Sequence, residues 1–208
     1  MTVSPPRGLY LVTPDSADPG ELVARLGRAL EGRPAIVQYR NKLADAAWRS
    51  QEAAEAAALC REAGVVFIVN DDVALALEVG ADGVHVGRED GDIAATRARI
   101  GTDKILGVSC YDEWARAEAA VAAGADYVAF GAMYPSTVKP DAARASLDLV
   151  RRARRELDTG IVTIGGITLD NTPPLIEAGA DWVAVISDVF KAPDPAARAA
   201  AFLPLFKQ

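Results

Sequence analysis

The chain has 208 residues, of which 50% are apolar and 25% charged, a balance typical of folded globular proteins. Its net charge of -7 argues against a general nucleic-acid binder, because phosphate backbones select basic surfaces. Cys60 and Cys110 match no metal or redox spacing and are interpreted as free thiols. No apolar run approaches the ~18 residues needed to span a bilayer, and the N-terminus resembles no export signal, so we expect a cytoplasmic protein.

Short apolar runs predict eight strands, and amphipathic, Ala-rich segments lie between them. The predicted helices include 46–63, 111–123 and 147–157. In chain order, the predicted strands are 9–13, 35–40, 66–70, 83–86, 105–109, 127–130, 161–165 and 182–187.

Three stretches repeat one another: "VGADGVHV" (79–86), "AGADYVAF" (123–130) and "AGADWVAV" (178–185). Each is typical of a helix end, a capping Gly and a short strand. This alternation of strand and helix predicts a parallel sheet, either a closed barrel or an open doubly wound sheet. The count of eight strands, and the lack of a Gly-x-Gly-x-x-Gly turn after the first, favour the barrel. We therefore predict an α/β fold, with residues 1–208 forming a single-domain (β/α)8 TIM barrel.

Barrel enzymes build their sites from the loops at the carboxyl ends of the strands, and seven of the eight predicted ends here are polar or Gly-rich. Each such residue taken alone is more often a cap or a turn; Asp72, for example, suits the start of a helix. Gln38, Arg40 and Lys42 alternate in "VQYRNK" and so share one direction if the strand is extended. The other residues at these ends include Asn41, Asn70, Asp71, Asp72, Glu89, Asp90, Ser109, Gly165, Gly166 and Ser187.

The mixture of basic and acidic residues at this edge needs an explanation, because carboxylates would repel the anion that Arg40 and Lys42 suit. A divalent cation between them removes the conflict. Mg²⁺ favours one or two carboxylates together with phosphate oxygens and water. The acids are therefore predicted to hold a metal that binds a di- or pyrophosphate.

Two further segments suit a phosphate, namely "TIGGI" (163–167) and "VIS" (185–187), which end the last two strands. The alternative is that Gly165 and Gly166 only turn the chain. His85, the single histidine, lies within a strand and is interpreted as a structural residue that is packed or hydrogen-bonded.

The motifs "LYLVT", "VQYRNK", "VNDD", "ADGVHVGRED", "LGVSC", "GADYVAFGAMYPSTVKP", "TIGGI" and "GADWVAVIS" together resemble the thiamine phosphate synthase family, in order and over about residues 8–190. The resemblance implies a single-domain barrel and a transferase. That enzyme joins a hydroxymethylpyrimidine diphosphate to a thiazole phosphate and releases pyrophosphate in a Mg²⁺-assisted dissociative reaction. The partners implied are these small molecules, with no nucleic acid or membrane, and a homodimer is the assembly considered.

The resemblance also implies residue roles. Asp71 and Asp90 would bind Mg²⁺, while Arg40, Lys42, Ser109 and Lys139 would be catalytic. The pyrimidine diphosphate would contact Gln38, Tyr39, Arg40, Asn41, Lys42, Asn70, Ser109 and Lys139. The thiazole phosphate would contact Ser136, Thr137, Val138, Gly166, Ile186 and Ser187.

Two positions depart from the family pattern. Val138 stands where the family usually has the second Thr of Thr-x-Thr-Lys, and Arg88 replaces a common Gln and adds positive charge beside the predicted metal site. Three alternatives stay open: a thiazole tautomerase of the same superfamily, a non-catalytic regulator that binds thiazole phosphate, and another phosphate-handling barrel isomerase. The tautomerase commonly lacks the second acid, which is present here as Asp90.

Overall fold

The computed structural model describes residues 5–135 and 144–207, in which eight parallel strands close into a barrel in the order in which they occur along the chain. The closed barrel confirms the predicted fold class and excludes the open sheet. The strands are β1 (Gly8–Val12), β2 (Ile36–Tyr39), β3 (Val66–Asn70), β4 (Gly83–Val86), β5 (Ile105–Tyr111), β6 (Tyr127–Phe130), β7 (Gly160–Ile164) and β8 (Trp182–Val185).

Helices follow the strands around the outside of the barrel. In the described ranges they are α1 (Pro19–Leu30), α2 (Ala46–Ala63), α3 (Val73–Glu78), α4 (Ile93–Ile100), α5 (Trp114–Ala122), α6 (Leu147–Glu156), α7 (Pro173–Glu177), α8 (Ser187–Phe190) and α9 (Pro195–Ala200), with a final 3₁₀ turn, Leu203–Phe206. None of them has the length and apolar character required of a membrane-spanning segment.

One predicted helix starts later than expected. The segment predicted as helix from residue 111 begins at Trp114, because β5 continues to Tyr111. The pairing of β5 with β6 shifts register between Ser109 and Tyr111, and Tyr111 has a positive φ of 57°. A helix cannot begin at such a residue, and Glu113 occupies the N-cap position instead.

The three repeats have a structural role at the amino end of the barrel. In each, the glycine has positive φ: Gly80 (67°), Gly124 (90°) and Gly179 (108°). The aspartate that follows accepts a hydrogen bond from a backbone N–H of the preceding strand: Asp82 from Phe67 (2.8 Å), Asp126 from Leu106 (2.7 Å) and Asp181 from Ile161 (2.9 Å). This face of a barrel is the one associated with stability, which explains why the motif recurs without serving the site.

Two apolar layers hold the fold. The larger lies between the strands and the helices. The smaller fills the barrel interior and includes Tyr10, Ile36, Ile68, Tyr127 and Trp182. Gly107 of β5 makes room for Tyr127, because a Cβ there would lie 2.0 Å from the Tyr127 ring.

Candidate active site

A cavity of about 760 Å³ lies at the carboxyl ends of β2, β3 and β4. The predicted site residues in its wall are Arg40, Lys42, Asn70, Asp71 and Asp90, with Tyr39 and Asn41. These ends converge because parallel strands of a closed barrel finish on one rim. The structure therefore brings the predicted basic and acidic groups into one space.

Asp71 and Asp90 are held by the backbone at the ends of β3 and β4. Asp71 has a positive φ of 63°, and its N–H donates to the carbonyl of His85 at 2.8 Å. The Asp90 carboxylate accepts from the N–H of Gly87 at 2.7 Å. Burial and the neighbouring Asp90 carboxylate raise the pKa of Asp71 to about 6. Two acids in contact, one of them in a rarely populated backbone conformation, are a feature of functional sites.

Asp72, directly after Asp71, accepts from the N–H of Leu75 at 2.9 Å and is the N-cap of α3. The interpretation of Asp72 as a helix start is confirmed.

The basic side of the cavity is organised by Asp15, which sequence reasoning missed. Its carboxylate accepts two hydrogen bonds from Arg40 Nη1, both 2.9 Å, and one from the N–H of Lys42 at 2.7 Å. Burial raises the pKa of Asp15, but the Lys42 N–H and the Arg40 guanidinium outweigh that effect, and the pKa lies below its usual range. Asp15 follows β1 in "LVTPDS", so its place just beyond a strand end was the available signal.

Tyr39 and Asn41 use their side chains within the protein. Both bond the buried Glu52 of α2, with Tyr39 Oη donating at 2.7 Å and Asn41 Nδ2 at 2.9 Å. Asn41 Oδ1 also accepts from the N–H of Leu43 at 3.1 Å. Since these residues alternate with Gln38, Arg40 and Lys42, the same alternation that directs the basic groups to the rim directs Tyr39 and Asn41 to the helix layer. Their side chains therefore make hydrogen bonds within the protein, and their contact with the pyrimidine diphosphate stays a prediction.

Gln38 and Ser109 stand at the two ends of a hydrogen-bonded chain across the barrel interior. Gln38 Nε2 donates to Tyr10 Oη at 2.8 Å, and Tyr10 Oη lies 2.8 Å from Tyr127 Oη. Tyr127 Oη is 2.9 Å from His85 Nδ1, and His85 Nε2 is 2.8 Å from Ser109 Oγ. We call these five residues the interior relay. His85 is thus hydrogen-bonded, as predicted, and burial lowers its pKa to about 4. Its connection to two predicted site residues was not foreseen.

The glycines of "TIGGI" pack closely on the segment after β6. A Cβ at Gly166 would lie 2.4 Å from the carbonyl oxygen of Pro135, and Tyr134 N–H donates to the Gly165 carbonyl at 3.0 Å. Ile186 follows β8, and Ser187 begins α8. These residues lie on the same rim as the acids but outside the larger cavity; Ser187 lines a second one, of about 370 Å³, with Asp15, Arg25 and Lys191. The predicted contacts Ser136, Thr137, Val138 and Lys139 lie outside the described residues.

Three further arginines determine how positive charge is distributed around the larger cavity. Arg49 and Arg99 also line the larger cavity, and sequence reasoning missed both because they lie on helices rather than at strand ends. Arg88, expected to add charge near the metal site, pairs instead with Glu113, and its guanidinium carbon lies 4.9 Å from the centre of the Tyr111 ring. The negative charge of Glu113 therefore largely offsets the positive charge of Arg88.

A closed parallel barrel with basic and acidic groups around one cavity on its carboxyl rim defines an enzyme that acts on small anionic substrates. The family described as thiamine monophosphate synthase matches residues 9–189. The chain belongs to this family and is a transferase.

Individual proteins agree with this assignment. The chain is 62% identical over 200 residues to a thiamine-phosphate synthase of Aromatoleum aromaticum, covering 96% of each chain. It is 63% identical over 200 residues to one from Azoarcus sp. (96% of this chain and 97% of the other). A solved thiamine phosphate pyrophosphorylase from Pyrococcus furiosus superposes with a TM-score of 0.86 at 32% identity, covering 97% of this chain and 96% of that one. The resemblance read from the motifs is confirmed, and the three alternative functions are not favoured.

Proposed function

We propose that the chain joins a hydroxymethylpyrimidine diphosphate to a thiazole phosphate at this rim, giving thiamine phosphate and releasing pyrophosphate. The observation that carries the proposal is the single cavity in whose wall Arg40 and Lys42 lie with Asp71 and Asp90. Such a wall suits a diphosphate. The basic groups can contact its phosphates directly, and the two acids can do so through a bound cation. Family membership supplies the identity of the two substrates.

The donor set at Asp71 and Asp90 fits Mg²⁺. Within residues 5–135 and 144–207 no cluster of three or more His, Cys, Asp or Glu side chains could form an all-protein metal cage. Mg²⁺ does not require one, since it is commonly held by one or two carboxylates plus water and substrate phosphates. Burial and, second, the neighbouring Asp90 carboxylate raise the pKa of Asp71, and a cation between the two acids would offset their repulsion. When bound, the ion would neutralise negative charge that builds on the departing pyrophosphate.

The chain's own residues supply orientation and positive charge. Asp15 engages Nη1 of Arg40, and Nε and Nη2, which bond no other described residue, would be available to phosphate oxygens. Lys42 adds a second cation at the same edge, and Lys139 would add a third. Holding the diphosphate in place favours cleavage of its bond to the pyrimidine methylene, and the thiazole nitrogen then attacks that carbon. No protein nucleophile takes part.

The thiazole phosphate is assigned to the ends of β7 and β8. Gly166, Ile186 and Ser187 offer main-chain groups and a hydroxyl there, and Ser136, Thr137 and Val138 complete the set by resemblance. The tight packing of Gly165 and Gly166 on residues 132–135 supports this, because residues 132–135 directly precede Ser136 in the chain and lie against the end of β7.

Two broader expectations accompany the proposal: the protein acts in the cytoplasm, and it assembles as a homodimer. Cys60 and Cys110 are buried free thiols, in keeping with the first.

The test is incubation of the purified chain with both substrates, with and without Mg²⁺, and an assay of pyrophosphate and thiamine phosphate. Equal amounts of both products, formed only with Mg²⁺ and with both substrates present, are expected. An Asp71→Asn variant is the matched control, since it keeps size but removes a carboxylate. Isomerisation of a thiazole carboxylate phosphate without pyrophosphate release would instead identify a tautomerase.

A further inference from the structure

The interior relay connects two residues that the proposed function places on the pyrimidine diphosphate. Resting on that function, we infer that the relay fixes the Ser109 hydroxyl as a hydrogen-bond donor toward the diphosphate. His85, Tyr127 and Tyr10 act as positioning residues, since they reach the ligand only through Ser109 and Gln38.

The direction of the hydrogen bonds follows from the Gln38 end. Its Nε2 can only donate, so Tyr10 Oη accepts at that contact. The Tyr10 hydrogen must then go to its other neighbour in the described structure, Tyr127 Oη. Tyr127 in turn has its hydrogen free for His85 Nδ1. Each hydroxyl thus accepts from one neighbour and donates to the next.

At His85 this direction selects one form of the ring. Nδ1 accepts from Tyr127, so the proton lies on Nε2 and is donated to Ser109 Oγ. A ring carrying a proton on Nδ1 would force Tyr127 to donate to Tyr10. The Tyr10 hydrogen would then have no partner among the described residues, in an interior where Tyr10 is 1% exposed. A neutral ring protonated at Nε2 is therefore the form in which every hydroxyl hydrogen of the relay is satisfied.

Packing holds the relay in register. The Tyr127 ring occupies the space that Gly107 leaves open and stacks on His85, with ring centres 5.6 Å apart and planes 20° apart. Tyr10 meets the same ring edge-on, with centres 6.0 Å apart. The hydroxyls consequently have little freedom to exchange partners.

The two ends of the relay therefore differ in character. Ser109 Oγ accepts from His85 and keeps its own hydrogen, which it can offer to a ligand, and a diphosphate has only acceptors. Gln38 donates one N–H to Tyr10, and its side-chain carbonyl oxygen, which bonds none of the described residues, can accept from an N–H donor. An aminopyrimidine diphosphate carries both: a donor on the ring and acceptors on the phosphates. In a relay that ran in the opposite direction, Ser109 would donate its hydrogen to His85 and would have none to offer the diphosphate.

The ring form can be measured directly, because His85 is the only histidine of the chain. We expect long-range ¹H–¹⁵N NMR of the untagged, ¹⁵N-labelled protein near neutral pH to show a neutral imidazole with its proton on Nε2. A proton on Nδ1, or a doubly protonated ring, would overturn the inference. The measurement needs no substrate, so its result is independent of the proposed function. The assay of pyrophosphate and thiamine phosphate tests that function separately.

The effect on the ligand is measured with magnesium pyrophosphate by titration calorimetry. Tyr127→Phe should weaken binding about three- to tenfold, because Ser109 can then turn its hydrogen toward His85. The double variant with Ser109→Ala should bind no more weakly than Ser109→Ala alone, since Tyr127 acts through Ser109. If the losses of affinity multiply in the double variant, or if Tyr127→Phe binds as the wild type does, the relay is contradicted.

Two further variants complete the design. Thr172→Val removes a buried hydroxyl that lies outside both the relay and the two described cavities and should bind magnesium pyrophosphate as the wild type does. Tyr10→Phe breaks the relay one step further from Ser109 and serves if Tyr127→Phe does not fold. Its binding should fall in the same direction, and an unchanged affinity together with an unchanged His85 spectrum would count against the inference.

Discussion

The carboxylate of Asp15 receives both of its Arg40 contacts from a single guanidinium nitrogen, Nη1, at 2.9 Å each. In the described part of the chain the other nitrogens of the Arg40 guanidinium have no hydrogen-bond partner, and the Lys42 N–H ties the segment between Arg40 and Lys42 to Asp15. Asp15 therefore sets the orientation of the basic edge before any ligand arrives.

Asp15→Asn should lower kcat/KM for the pyrimidine diphosphate about three- to tenfold, because one charge-assisted contact and its partner's orientation are lost. The expected effect is modest because the pair is partly exposed to solvent: the Asp15 side chain is 35% exposed and the Arg40 side chain 21%. Steady-state kinetics with each substrate varied in turn measure it. A gain in pyrimidine diphosphate affinity would mean that Asp15 competes with the ligand for Arg40.

Asp71→Asn and Asp90→Asn should each lower turnover at saturating substrate by about a hundredfold or more, since an electrostatic partner of the leaving group is weakened. The fold should persist. In the presence of a chelator the Asp71→Asn protein should be more stable than the wild type, because it relieves repulsion between two carboxylates. Turnover as a function of Mg²⁺ concentration and thermal unfolding by circular dichroism provide the two measurements. Full activity of either variant at low Mg²⁺ would remove the metal assignment.

Stability should depend on pH through His85. Burial lowers its pKa from 6.5 to about 4, so the unfolded chain binds this proton more readily between those values. The free energy of unfolding should therefore fall as the pH is lowered from 6.5 to 4, by about 3 kcal/mol from this residue. His85→Gln should lose that part of the slope. Asp71, with its raised pKa, acts in the opposite direction in both proteins and cancels in the difference between them. Urea unfolding at a series of pH values measures the free energy of unfolding of both proteins. If the two profiles run parallel, His85 titrates in the folded protein as it does in the unfolded chain.

Thr163→Val should raise the free energy of unfolding by about 1 kcal/mol, because it removes a buried hydroxyl without a partner in the described structure. Thr172→Val is the matched control: its hydroxyl is equally buried but donates to the Thr168 carbonyl at 2.7 Å. That variant should lose about 1 kcal/mol. Urea unfolding of both variants gives the comparison, and changes of the same sign would refute the distinction between the two hydroxyls.

Val138→Thr should lower the KM for thiazole phosphate and leave that for the pyrimidine diphosphate unchanged. Position 138 lies outside the described residues, so the prediction rests on the family resemblance. A Thr hydroxyl there could donate to the phosphate, and a hydrogen bond to a charged group is worth about 1.5–3 kcal/mol, or roughly tenfold or more in affinity. Kinetics with each substrate varied decide it. An unchanged thiazole phosphate KM would mean that the phosphate is already satisfied by other donors.

The strands could be predicted because each is a short buried run that ends in polar residues, and the rim residues Arg40, Lys42, Asp71 and Asp90 followed from that pattern. Contacts between distant parts of the chain could not. Nothing local marks Asp15 as the partner of Arg40, or Glu52 as the residue that bonds both Tyr39 and Asn41. In the sequence, Tyr10 and Tyr127 resemble any aromatic residue of a buried strand. Their hydroxyls form hydrogen bonds with each other and with His85 only because closure of the barrel brings β1, β4 and β6 together.

The aromatic layer inside the barrel has a consequence for access. Tyr127 fills the gap over Gly107, and Tyr10 and Trp182 pack beside it, so the barrel axis is closed beneath the rim. Both substrates and both products must therefore use one doorway, at the carboxyl end. Under the proposed function, pyrophosphate leaves by the same end of the barrel through which the next pyrimidine diphosphate enters.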